Sequence, residues 1–168
     1  MKILVFSDSH NNVSDMTEVI SLCKSDTSLI VHLGDMVSDF RIVQNRFPDI
    51  PTISIKGNND IFEVGSDNEA LYNFESLRFF FTHGHKYNVK YGLDTLMYRA
   101  EELKCDVVLF GHTHVPFLKK IKNTLFVNPG SISRSTFAIL NIKNGTILSS
   151  DICTYSKITK SIDFLRLF

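Results

Sequence analysis

Along the first third of the chain, short apolar runs alternate with segments of helical periodicity. The run KILVF at 2–6 is rich in β-formers and ends at the polar cluster SDSHNN. Val13, Met16, Val19, Ile20 and Cys23 then recur at helical spacing over 13–24. LIVHL at 29–33 reads as a second strand, and SDFRIVQNRF at 38–47 as a second helix that stops before Pro48. PTISIK at 51–56 is a third strand. Strand, helix, strand, helix, strand, with apolar strands, predicts a parallel sheet covered on both faces and joined by right-handed crossovers.

The second half carries a different rhythm. Two short strand-like runs, 71–76 and 78–85, meet near Ser76 and Leu77. A helix over 91–104 shows Leu93, Leu96, Met97, Ala100 and Leu103 on one face. DVVLF at 106–110 is another buried strand. Residues 115–131 read as a hairpin turning near Lys122 and Asn123. Residues 135–155 read as a second hairpin with Asn144-Gly145 as its two-residue turn. The pattern predicts an α/β domain with a mixed first sheet and a largely antiparallel second one.

Five of these strands end in the same kind of residue. After the first come Asp8, His10 and Asn11; after the second, Asp35; after the third, Asn58, Asn59 and Asp60. RFFFT is followed by His83 and His85, and DVVLF by His112 and His114. A single Asp or Asn in such a place is ordinarily a turn residue or a helix cap. A single histidine there is ordinarily structural, and His32, inside LIVHL, is read that way. The recurrence is what changes the reading. The carboxyl ends of strands in open α/β sheets form one binding edge, so residues far apart in the chain converge there. Gly34, Gly57, Gly84 and Gly111 each adjoin one of these polar residues, where a glycine permits a tight turn and a close backbone approach.

Imidazoles with carboxylates and a carboxamide suit divalent transition metals, and the absence of cysteine from every cluster argues against a zinc-thiolate site. Seven such ligands exceed the needs of one tetrahedral ion and suit two ions that share a carboxylate.

Composition narrows the partners. The 168 residues suit one domain over 1–168, and 18 acidic residues balance 18 basic ones. No basic groove for long nucleic acid is expected, and no run is long enough to span a membrane. The four apolar residues after Lys2 are too few for a signal-peptide core. Cys23, Cys105 and Cys153 are scattered and read as core thiols in a reducing compartment, which points to the cytoplasm.

Taken in order, DSH, GD, GNND, THGH and GHTH resemble the calcineurin-like metallophosphoesterase superfamily. VNPGS after GHTH resembles its small single-domain phosphodiesterase branch, and the motifs run over 8–131. The resemblance implies a four-layer α/β/β/α sandwich with two mixed β-sheets flanked by helices. It implies one divalent ion on Asp8, His10, Asp35 and His114, and a second on Asp35, Asn58, His83 and His112. Manganese is the first expectation for both, with nickel, iron, zinc or cobalt also suited to such ligands. The implied reaction is hydrolysis of a small phosphodiester by in-line attack of a metal-bridging hydroxide on phosphorus. Asp60 would orient the GNND loop, and Asn11 would meet a substrate phosphate oxygen. In this sequence Asn59 stands where many members of the superfamily have histidine. A carboxamide donates a hydrogen bond but cannot act as an acid near neutral pH, which turns attention to His85.

Two other readings belong beside this one. The chain also resembles the retromer cargo-recognition subunit, a scaffold of the same fold, and a phosphomonoesterase would use the same ions. His112 and His114 are expected on one side of an extended segment, with Thr113 pointing away. Tyr87 and Tyr91 either line a substrate group or pack the loop. The apolar tail SIDFLRLF at 161–168 either finishes a sheet or forms a contact between copies of the chain.

Overall fold

In strand β1 (Lys2–Phe6) both sets of alternating side chains are buried, and that decides the layering. Ile3 and Val5 meet Phe79, Phe81, Val107, Leu109 and Val127 on one face. Leu4 and Phe6 meet Met16, Val19, Ile20 and Phe40 on the other. The first group comes from a second sheet. The last comes from helices α1 (Val13–Cys23) and α2 (Val37–Arg46). The computed structural model describes residues 1–165.

The first sheet has the order β11-β10-β9-β1-β2-β3. It comprises β1, β2 (Thr27–His32), β3 (Thr52–Ser54), β9 (Thr136–Lys143), β10 (Thr146–Ser156) and β11 (Ser161–Leu165). The second has the order β4-β5-β6-β8-β7. Its strands are β4 (Glu69–Phe74), β5 (Leu77–Thr82), β6 (Val107–Leu109), β7 (Phe117–Ile121) and β8 (Thr124–Asn128). Its outer face carries Phe80, Val108, Phe110 and Phe126 onto Leu96 and Ala100 of α3 (Asp94–Glu102). Helices, sheet, sheet and helix make the four layers expected from the resemblance, and both sheets are mixed. Cys23, Cys105 and Cys153 are buried as free thiols. Among the described residues no helix is long and apolar enough to cross a membrane.

The expectation of a largely antiparallel second sheet is corrected. Its centre, β5-β6-β8, is parallel, and only its outer strands β4 and β7 run antiparallel to their neighbours. The 135–155 hairpin joins the first sheet instead, with β9 antiparallel to β1. Phe137, Ala138, Ile139 and Leu140 of β9 are all buried, so this strand needs cover on both faces. Alternation within a hairpin does not say which sheet will provide it. Strand β11 pairs with β10 at the edge, so residues 161–165 of the tail finish the sheet. Arg166, Leu167 and Phe168 lie outside the described residues.

His32 is structural, as its place inside a strand suggests. Its ring is fully buried and stacks on Phe40 at a centroid distance of 5.1 Å. Nδ1 accepts from the Gly34 N–H at 3.4 Å, and Nε2 has no partner. Burial lowers its pKa from 6.5 to about 4, so it folds neutral. The unfolded chain takes up a proton below pH 6.5 that the folded one refuses down to about pH 4, so this residue lowers stability as the solution is acidified through that window. Urea unfolding of wild type and His32→Leu across the window should show wild type losing stability relative to the variant as pH falls. Parallel pH profiles would contradict the assignment.

Candidate metal centre

The carboxyl ends of five strands meet at one edge because their loops touch backbone to backbone. The Asp8 N–H donates to Gly34 O at 2.9 Å, and the Gly111 N–H donates to His83 O at 3.0 Å. A side chain on Gly34 would fall 2.4 Å from Gly57 N, and one on Gly111 would fall 2.0 Å from Ser7 Oγ. Glycine at Gly34 therefore lets the β2 and β3 loops of the first sheet touch, and glycine at Gly111 lets the β6 loop of the second sheet close on the β1 loop of the first. Asp8, His10, Asn11, Asp35, Met36, His112 and His114 all have positive φ, between 42° and 76°. Such concentration of strained backbone is a mark of functional loops. It also corrects the expectation for His112 and His114. The segment is a tight loop with both histidines left-handed, and Thr113 Oγ1 is used inside it, accepting from Val115 N and Asn128 Nδ2 at 3.1 Å each.

Two groups of donor atoms result. In the first, one ligand atom each of Asp8, His10, Asp35 and His114 lies within 4.8 Å of all the others. His10 Nε2 and His114 Nε2 are 3.3 Å apart, and His114 Nε2 is 3.0 Å from Asp8 Oδ1. In the second, His83 Nε2 is 3.2 Å from His112 Nδ1 and 3.6 Å from Asp35 Oδ1. Asp35 thus reaches both groups. His83 Nδ1 lies 2.8 Å from Leu33 O and must donate to it, which leaves Nε2 as the bare nitrogen.

The charges at this edge are unbalanced. Asp8 is fully buried, and burial raises its pKa to about 7. Asp8 Oδ1 has no hydrogen-bond partner, for although His114 Nε2 is close the two atoms do not share a proton in a bonding geometry. Burial lowers His83 to about 4 and pushes His112 and His114 below the ordinary imidazole value, so these rings are neutral and present lone pairs. Lone pairs facing one another around a buried, unpaired carboxylate oxygen form a place for a cation. The oxygen and nitrogen donor set fits a divalent transition ion.

Side chains around this edge hold the donors in place. Asp60, only 3% exposed, accepts four backbone N–H groups, from Asp35, Met36, Val37 and Gly57, at 2.8–2.9 Å. It caps α2 from outside the helix and ties the β2 and β3 loops together. Asp39 accepts from Ser9 Oγ at 2.8 Å and from Asn11 N at 2.7 Å, which fixes the β1 loop. Asp8 Oδ2 takes Ser7 Oγ at 2.6 Å and His112 N at 3.1 Å. Ser131 Oγ donates to Asp8 O at 2.7 Å, and Asn128 Nδ2 donates to Gly111 O at 2.8 Å. Asp39 carries no signal in the sequence, since an acid in a helix's first turn is ordinary. Asn128 and Ser131 belong to VNPGS, which was legible as a motif but not as a clamp.

The remaining candidates divide. Asn59 donates through its backbone to Asp35 Oδ1 at 2.9 Å and through its amide to Asp35 Oδ2 at 2.8 Å. Asn58 is exposed, and its amide donates to Asn59 Oδ1 at 3.3 Å, so the structure brings Asn59 rather than Asn58 onto the shared carboxylate. His85 has a buried Nδ1 with no partner and a ring 5.3 Å from that of His83. Asn11 is exposed beside His10. Tyr87 is taken up by packing, with its hydroxyl on Glu69 at 2.8 Å, while Tyr91 is 93% exposed.

Comparison with known proteins gives the family and the fold. The calcineurin-like phosphoesterase superfamily domain matches residues 1–145. A probable metallophosphoesterase of Bacillus subtilis, YsnB, is 32% identical over 151 residues, covering 86% of this chain and 86% of its own. A phosphodiesterase of Methanocaldococcus jannaschii is 28% identical over 145 residues, covering 77% and 83%. In fold, the chain is similar to Vps29 of Chaetomium thermophilum, with a TM-score of 0.81 at 18% identity over 99% and 97% of the two chains.

Titration of the chelated protein with a divalent ion should raise its thermal midpoint, because an ion at a hundredfold excess over its Kd adds about 2.7 kcal/mol. Asp8→Ala should abolish the rise. Asp60→Ala, which strands four backbone N–H groups, should lower the midpoint and weaken the ion's affinity by about 10–100-fold. A midpoint indifferent to manganese, nickel, iron, zinc and cobalt would contradict the reading of this edge.

Proposed function

Since the chain belongs to the calcineurin-like phosphoesterase superfamily, we propose that it is a metal-dependent phosphodiesterase acting on small phosphodiesters. One domain over residues 1–168, in the cytoplasm, would hold two divalent ions, manganese first among them. Asp8, His10, Asp35 and His114 would hold one ion, and Asp35, Asn58, His83 and His112 the other. The observation that carries this is the buried, unpaired Asp8 Oδ1 set among neutral imidazoles. Bound there, the ions would supply Lewis acidity to the phosphoryl oxygens and lower the pKa of a water to the neutral range.

The chain's own contribution is positioning. Asp60 and Asn59 fix the Asp35 carboxylate from its backbone and its oxygens. Asn58 would join the second set by exchanging its hydrogen bond to Asn59, which its exposed position permits. Asn11, exposed beside His10, would donate to a phosphate oxygen. Asn59 has no acidic proton to give, so His85, with its partnerless Nδ1, is the group left to meet the leaving oxygen.

A metal-supplemented assay on bis(p-nitrophenyl) phosphate tests the proposal. Wild type should release p-nitrophenol, and Asp35→Asn should lose at least about a hundredfold in kcat/KM, since it removes the ligand common to both ions. Rates should fall steeply as the leaving alcohol becomes less acidic, and His85→Ala should deepen that fall. Metal-replete protein inert on every diester and monoester would overturn the proposal in favour of a binding module of the same fold.

A further inference from the structure

Two basic side chains stand at the mouth of the metal centre without acidic partners. Arg134 ends the 3-10 turn Ile132–Arg134, which is bolted to the end of β1. The Ile132 N–H donates to Ser7 O at 3.1 Å, Asn12 Nδ2 donates to Ile132 O at 3.0 Å, and Ser131 Oγ holds Asp8 O. Ile132 itself is fully buried. Behind the turn, a side chain on Gly130 would lie 2.8 Å from Pro116, so this loop packs on the one that carries His114. Arg134 is exposed, and its charge is felt at His114. Lys90 approaches from another loop. Val89 is buried, with its methyls against Gly84 between His83 and His85. The charge of Lys90 is felt at Asp8, His112 and His114.

Among the described residues neither side chain forms an ion pair or a side-chain hydrogen bond. The acids nearby are already engaged. Asp39 is held by Ser9 and Asn11, Asp60 by four N–H groups, and Asp15 by Lys157 at 3.2 Å. Glu69 takes the Tyr87 hydroxyl. In a chain whose charges balance at 18 and 18, these are two individual unpaired cations, not part of a generally basic surface. Neither cation forms an ion pair with Asp8 or Asp35, and both are exposed where those carboxylates are buried, so both lie at the rim, where they would meet the substituents of a bound diester rather than its central phosphorus.

Resting on the phosphodiesterase reading, we infer that Arg134 and Lys90 form an anion subsite beside the metal centre that selects diesters carrying a second phosphate group. Arg134 is the stronger member, since its planar fork can take two phosphate oxygens at once and its base is fixed by the anchored turn. Lys90 adds a point charge from the other loop.

The test uses the p-nitrophenyl ester of thymidylate with and without a second phosphate on its sugar. Metal-loaded wild type should prefer the doubly phosphorylated ester. Arg134→Met should cut that preference about tenfold, in KM rather than kcat, which corresponds to one charge-assisted hydrogen bond. Arg134→Lys should restore part of it, and Lys90→Met should cause a smaller loss. Thermal midpoints of these surface variants should match wild type. In parallel, calorimetry on metal-loaded protein should show thymidine bisphosphate binding more tightly than the monophosphate, with Arg134→Met narrowing the gap. If wild type cleaves neither ester, the phosphodiesterase reading fails and the calorimetric pair alone decides the subsite. Equal affinity for the two nucleotides, or a preference untouched by Arg134→Met, overturns the inference.

Discussion

Among the described residues, the buried carboxylates of Asp8 and Asp35 form no ion pair with a lysine or arginine. Asp8 is fully buried and Asp35 only 2% exposed, and the rings beside them are depressed below the ordinary imidazole value or, for His10, simply close at hand. Removing an ionised group from water costs several kcal/mol unless a compensating charge stands beside it. At Asp8 that cost shows as a pKa raised by burial to about 7. A divalent ion answers that cost, and the other features of this edge follow from keeping the donors aimed at one small space. The strained backbone at seven loop residues, the glycines that let loops touch, and the carboxylates that gather N–H groups all serve that aim.

The supporting carboxylates do a different job from the donors. Asp60 and Asp39 are also buried, yet both oxygens of Asp60 and Oδ2 of Asp39 accept N–H or O–H groups of the loops. They turn loop conformation into something the core enforces. Asp60 is at once the cap of α2 and the link between the loops after β2 and β3, so helix position and Asp35 position are one variable. Asn128 and Ser131 repeat the arrangement on the second sheet's side, joining the loops of His112 and Asp8. The edge is therefore braced from both sheets, as a site built to place charges within a fraction of an ångström requires.

Much of this was legible in the chain. The mainly apolar runs at 2–6, 29–33 and 106–110 read as strands buried on both faces, and the polar residues shortly after each mark the edge where they end. Asp8, His10, Asp35, His83, His112 and His114 stood out as candidates because imidazoles and carboxylates recur at strand ends, and the structure brings them to one edge. Two kinds of information were not legible. The partner sheet of the 135–155 hairpin depends on which layer has an open edge, a property of the whole fold. The roles of Asn58 and Asn59 depend on side-chain direction within one turn, which adjacent identical residues cannot reveal. Asp39 was hidden for a related reason, since an acid in a helix's first turn is ordinary until its partners are known.

The most direct test of a shared-carboxylate centre is anomalous diffraction from crystals of the manganese-loaded protein. Two peaks per chain about 3.5–4 Å apart are expected, with the Asp35 carboxylate touching both, Asp8, His10 and His114 around one, and His83 and His112 around the other. A single peak, or none at this edge while the ion binds elsewhere, would contradict a shared centre.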